Sequence, residues 1–136
     1  MNSRKRYKKS ELINFTYNIL KKVGLNNSNS KIISDLIIRA DERGVWSHGI
    51  VRLPVYVNRI EKKAAKKNPN FKFKKISNNI FHLSGDNGLG YLAANAGIKK
   101  CVALAKEKGI GLVAISKSNH FGMAANYLEF ASKNKC

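Results

Sequence analysis

Ile110-Gly-Leu-Val-Ala-Ile115, running straight into Ser116-Lys-Ser-Asn-His-Phe-Gly122, is the stretch on which the fold turns. A continuous apolar run between turn signals is the pattern of a strand buried on both faces. The segment before it, from about Tyr91 to Lys108, has helix length and small residues at Ala93, Ala94, Ala96, Gly97, Ala103 and Ala105. Such a face lets a helix backbone lie close against a sheet. After the Ser116–Gly122 turn, a last helix carries Ala125, Leu128, Phe130 and Ala131. Helix, strand, turn and helix in that order describe one unit of an α/β fold.

Working back toward the N-terminus, Phe71 and Phe73 alternate with lysines, and Asn78-Asn79 separates Ile76 from Ile80-Phe81-His82-Leu83. That pattern predicts a β-hairpin. Gly85-Asp-Asn-Gly88-Leu-Gly90 reads as a flexible loop between hairpin and helix. Earlier still, the period is helical. Ser10 precedes a stripe at Leu12, Phe15, Ile19, Leu20 and Val23, with Gly24 at the C-cap position. Asn26–Ser30 caps a second helix carrying Ile32, Ile33, Leu36, Ile37 and Ala40, ending at Arg43-Gly44. A third starts near Pro54 and turns Val57, Ile60 and Ala64 inward. The fold class is therefore α/β (α+β): N-terminal helices, a β-hairpin, then a β-α-β-α-type segment. So small a sheet needs neighbours, and the chain reads as stopping inside a fold.

The chain has 136 residues, enough for one domain over residues 10–136 behind a basic, disordered lead over 1–9. Lys+Arg number 26 against 8 Asp+Glu, a formal net charge of +18. Of the basic residues 20 are Lys, and 16 Asn and 13 Ile accompany them, a composition that an AT-rich coding sequence favours. A charge this high also fits a nucleic-acid-binding module, with the Arg4–Lys9 arm and the Lys62–Lys75 stretch as its surface. Against it, the better phosphate reader, Arg, is scarce, and the sequence carries no nucleic-acid motif. The 43% hydrophobic content excludes wholesale disorder. No apolar run approaches the roughly 20 residues of a membrane span, and no apolar segment follows the basic N-terminus to make a secretory signal. Cys101 and Cys136 form neither a disulfide framework nor a metal site, so the expected setting is cytoplasmic and reducing.

Two short constellations carry chemistry. In Trp46-Ser-His-Gly-Ile-Val-Arg52, a helix running from His48 would put Arg52 on the same face four residues on. Arg52 could then grip a carboxylate bidentately while His48 exchanges a proton with the neighbouring oxygen of a 2-oxo or 2-hydroxy acid. The same residues also fit a capping Ser47 beside a surface histidine. In Ser118-Asn-His-Phe-Gly122, His120 sits just past a strand's carboxyl end, where ligands gather in open α/β sheets. Asn119 could bond substrate or orient the imidazole; a hydrogen-bonded turn histidine would look the same. His82 lies in an alternating strand, where its expected role is structural or merely solvent-facing. Gly85–Gly90 is G-x-x-G-x-G rather than the dinucleotide fingerprint, so it reads as a turn.

Together, Ala40-Asp-Glu-Arg-Gly-Val-Trp-Ser-His-Gly-Ile-Val-Arg-Leu-Pro-Val-Tyr-Val-Asn-Arg59, Gly85–Gly90, Ala105–Ala114 and Ser118–Gly122 resemble the malate/L-lactate dehydrogenase family, whose fold is not a Rossmann fold. The resemblance implies an NAD(P)-dependent oxidoreductase interconverting 2-hydroxy and 2-oxo acids, homodimeric at full length. Matched residue by residue, Ser47, His48, Arg52 and Asn119 would bind substrate, and His120 or His48 would be the acid/base. Trp46 stands where a small polar residue is expected. Family members are much longer, so the resemblance implies an N-terminal portion lacking most of the cofactor domain, NAD or NADP. It could be a truncated product, or a non-catalytic subunit of a split enzyme. Such a chain alone is expected not to oxidise NAD(P)H with pyruvate or oxaloacetate.

Overall fold

In a computed structural model, residues 5–136 are described. Of the basic lead expected over 1–9, the first four residues lie outside the described ones, and α1 already begins at Lys9. The order is α1 (Lys9–Lys22), α2 (Asn27–Glu42), two short 3-10 turns (Trp46–His48 and Ile50–Arg52), α3 (Leu53–Glu61), β1 (Lys72–Lys75), β2 (Ile80–Gly88), α4 (Gly90–Lys108), β3 (Leu112–Ser118) and α5 (Ala125–Lys133). This is the expected sequence of helices, hairpin, and strand-helix-strand-helix.

The helices form for the anticipated reasons, with local exceptions. The Asn26 side chain accepts the Asn29 amide at 2.8 Å and caps α2. Pro54 sits in the first turn of α3, where no amide is missed. In α1, Ser10 lies inside the helix, Phe15 is exposed, and Thr16 and Leu20 are the buried positions. Helix α3 turns in Leu53, Tyr56 and Ile60, and Ala65 rather than Ala64 is buried beyond it. Along α5 it is Asn126 and Tyr127 that are buried, and Leu128 faces solvent.

The sheet has three strands in the order β1-β2-β3. β1 pairs antiparallel with β2, with Phe73 opposite Leu83. β2 pairs parallel with β3, with Leu83 opposite Ile115. α4 crosses between them and lies close, as its small residues suggest: a Cβ added to Gly97 would stand 3.0 Å from Ile115 Cδ1. Two expectations are corrected here. Ile110–Ile115 is not a strand buried on both faces; β3 is the edge of the sheet, and Ile110 and Leu112 are 62% and 51% exposed. The reason is that β3 has one hydrogen-bonded neighbour and one covered face, that of α4. The Gly85–Gly90 loop is likewise mostly strand, since β2 runs to Gly88 through a bulge.

The core lies between the helices rather than under the sheet. It joins Leu20, Ile33, Ile37, Tyr56, Ile60, Leu89, Tyr91 and Leu92, drawn from α1, α2, α3 and the start of α4. The beginnings of α3 and α4 thus converge on the turn after β3, and that convergence positions the site.

Candidate active site

Ser47, His48 and Arg52 stand on the two 3-10 turns, not on one helix. Gly49 between them is extended (φ −88°, ψ −151°), which corrects the shared-face geometry expected for His48 and Arg52. The break is held by Asp41 of α2, whose carboxylate accepts the Ile50 amide at 2.7 Å. Burial pushes the Asp41 carboxyl above its ordinary value, and the Ile50 amide pulls the other way. Ser47 Oγ and His48 Nδ1 lie 2.9 Å apart. Arg52 Nε is buried with no hydrogen-bond partner, and no ion pair among the described residues includes Arg52.

The second constellation is built by the β2 bulge. Asp86 and Asn87 both take positive φ (49° and 55°), which short Asx side chains tolerate best. Asp86 pairs with Lys66 and accepts the Asn70 amide at 2.9 Å. The bulge then presents Asn87 and Gly88 oxygens to the Asn119 side-chain amide at 3.1–3.2 Å. Arg59 Nη1 donates to Asn119 Oδ1 at 2.8 Å. Both ends of the Asn119 amide are therefore spent on protein. Gly90 is required by close approach: its N–H donates to His120 O at 3.1 Å, and a Cβ there would stand 2.1 Å from Asn119 O.

These two segments bring His48 and His120 together. Their rings are stacked, 5.4 Å between centroids and 28° between planes. Tyr56 Oη lies 2.8 Å from His120 Nδ1 and 3.0 Å from Tyr91 Oη. The Gly122 amide also donates to His120 Nδ1, at 3.3 Å. Burial first, then the charges of Arg52, His48 and Arg59, hold the His120 imidazole below its ordinary pKa. Burial and the Tyr56 hydrogen bond push the Tyr91 phenol well above its usual range, with Arg52 opposing. The arrangement offers two imidazoles, a hydroxyl and a guanidinium without a carboxylate, a set suited to an anionic substrate whose oxygen exchanges a proton.

Sequence reasoning singled out five of the residues that meet or flank this point, Ser47, His48, Arg52, Asn119 and His120, but missed Tyr56, Tyr91 and Arg59. Tyr56 follows Arg52 by four residues, one helical turn, and that spacing was the available signal. His82 stays apart, its Nε2 2.8 Å from Ser116 Oγ across the β2–β3 pair. Among the described residues no three His, Cys, Asp or Glu side chains gather as a metal site. Among the described residues no helix is long and apolar enough to cross a membrane.

The sequence profile of the malate/L-lactate dehydrogenase family matches residues 7–136, and the chain belongs to that family. It is 38% identical over 116 residues to the malate/(S)-sulfolactate dehydrogenase of Methanothermus fervidus, covering 85% of this chain and 34% of that one. The structure of malate dehydrogenase from Pyrococcus horikoshii superposes with a TM-score of 0.92 at 33% identity, over 95% of this chain and 37% of its own. Malate dehydrogenase from Entamoeba histolytica gives 0.93 at 32%, over 98% and 37%. The chain spans about a third of the length of the curated relatives it matches.

Family dehydrogenases use a pyridine nucleotide, and among the described residues the glycine-rich stretch before α4 does not present it a free phosphate loop. The N-terminus of α4, the place a glycine-rich loop would present a pyrophosphate, has its Gly90 amide occupied by the His120 carbonyl.

Proposed function

We propose that this protein serves the interconversion of a 2-hydroxy acid and a 2-oxo acid, with residues 10–136 contributing the substrate side of the site. The nicotinamide of that reaction carries the hydride. What this chain supplies is a grip on the carboxylate and a proton for the oxygen at C2. Arg52 is the carboxylate's partner, a planar fork that binds such a group bidentately. Ser47 and His48 line the same side. His48 and His120 flank the reacting oxygen, and one of them exchanges its proton. Asn119 anchors the turn carrying His120 instead of meeting the substrate. The observation that carries this reading is the pair of stacked imidazoles near a guanidinium that, among the described residues, has no ion-pair partner.

Relatives differ in substrate and coenzyme. Some are named for malate and sulfolactate, one for ureidoglycolate with NAD(+), another for (2R)-3-sulfolactate with NADP(+). A small hydroxy or oxo acid is the part of the reading that the site itself supports.

Titrating oxaloacetate, pyruvate or malate into the chain tests it, with the imidazole resonances of His48 and His120 as the readout. Both are expected to move together and saturably. Arg52→Lys keeps the charge but loses the fork, and should weaken binding at least tenfold, about 1.4 kcal/mol. Histidine signals indifferent to all three acids would overturn the assignment.

A further inference from the structure

The hydrogen bonds around His120 run in one direction. A backbone amide can only donate, so the Gly122 N–H directed at Nδ1 requires a lone pair on that nitrogen. The Tyr56 hydroxyl, 2.8 Å from the same nitrogen, must then donate to it as well. Tyr56 has one proton, so toward Tyr91 its oxygen accepts, and Tyr91 donates. Tyr56 and Tyr91 are fully buried, which keeps water from satisfying either hydroxyl instead. The charged and titratable groups around the ring are His48, Arg52, Arg59 and these two tyrosines. None of them offers an anion that would favour a proton on Nδ1.

We propose that Tyr56 is a positioning residue: its hydroxyl, oriented by Tyr91, holds His120 as the neutral tautomer with its proton on Nε2, so that His120 meets the substrate oxygen as a hydrogen-bond donor. The proposal rests on the reading above that the oxygen lies between the histidines. It divides their labour. His120 polarises the oxygen and keeps its proton, because Nε2 has no lone pair to take another. The exchanged proton then belongs to His48, whose Nδ1 faces the Ser47 hydroxyl. A hydroxyl can turn to donate or accept, so it serves His48 both neutral and charged. In the oxidative direction the substrate O–H bond breaks and a His48 N–H bond forms; reduction reverses both.

Nitrogen-15 NMR of the imidazoles tests this in the chain itself, without substrate, with signals assigned through His48→Gln and His82→Gln. At neutral pH, His120 should show an unprotonated Nδ1 and a protonated Nε2. A dominant Nδ1–H form would overturn the proposal. Tyr56→Phe keeps the ring and its packing but removes the donor that favours the neutral imidazole. His120 should then bind its proton more tightly, by about one pKa unit, a tenfold change. A titration left unchanged or moved downward would also overturn it. If Tyr56→Phe fails to fold, the wild-type tautomer still decides. Adding oxaloacetate afterwards separates the two readings. Silence of both histidines then would sink the substrate assignment while leaving the tautomer result standing.

Discussion

His120 is the residue whose surroundings make the sharpest demand. Its folded pKa lies below the ordinary 6.5, chiefly through burial. Above that value both states are neutral at this position and its contribution is complete. As pH falls below it, the unfolded chain takes a proton that the folded ring resists, so stability drops until the lowered folded pKa is passed. Melting temperature should therefore decline as pH falls below the ordinary histidine value of 6.5, and decline less in His120→Gln. An equal slope in both proteins would contradict it. Gly90 makes a steric demand instead. A methyl there meets the Asn119 carbonyl and the His120 backbone, neither of which can swing away. Gly90→Ala should cost about 1–3 kcal/mol, measured by urea unfolding, and disturb the resonances of His120. At this scale the sequence was legible where residue types are rare and adjacent, as in Ser47-His48 and Asn119-His120. Tyr91 left no such signal, and for Tyr56 there was only its spacing of one helical turn from Arg52. A buried tyrosine on a helix looks like any core aromatic, and the partner that gives Tyr56 its role is 64 positions away.

The two 3-10 turns and the β2 bulge are the elements that aim these side chains, and each is fastened by an aspartate. Asp41 fills the space in which a Gly49 Cβ would sit, while bonding the Ile50 amide. Asp41→Ala leaves that amide unpaired and should cost about 1–3 kcal/mol. Gly49→Ala evicts the same carboxylate and should cost a similar amount. Because both changes break one interaction, the double variant should lose much less than their sum, a coupling that urea unfolding of the four proteins reads directly. Strict additivity would mean that Asp41 and Gly49 act separately. Elements with a clear pattern were readable in the sequence: α1, α2 and the β1–β2 hairpin follow from apolar spacing and turn residues, and α4 from its length and small residues. The two turns and the bulge were hidden for a physical reason. Gly85-Asp-Asn-Gly88 has the composition of a loop, and only its pairing with β3 makes it strand. The Ser47–Arg52 segment could pass for helix because the contact that interrupts it comes from α2.

For the whole molecule, charge and shape oppose each other. The helical side holds the core, whereas β3 is an edge strand with Leu112 and Ile115 exposed in it and Ile110 and Phe121 exposed beside it. A solvated strand edge with apolar side chains is a template for pairing with another chain. The net charge of +18 keeps such edges apart by repulsion, and the lysines that looked like a binding surface have this second consequence. Some of them are engaged locally, Lys66 with Asp86 and Lys100 over the Phe81 ring at 4.2 Å, but most of the positive charge is unmatched. Repulsion between copies depends on ionic strength, since the screening length falls from about 10 Å at 0.1 M to about 3 Å at 1 M salt. Pairing through apolar edges does not weaken in the same way. Raising sodium chloride over that range should therefore increase self-association of this chain, seen as a rising scattering mass at fixed protein concentration. Leu112→Lys places a charge on the edge itself and should suppress the rise while leaving the helical core, and hence the far-ultraviolet circular dichroism, as it was. If the electrostatic contacts themselves held copies together, salt would lower the scattering mass instead. A mass that falls with salt, or one that Leu112→Lys leaves untouched, would place the association elsewhere than at β3.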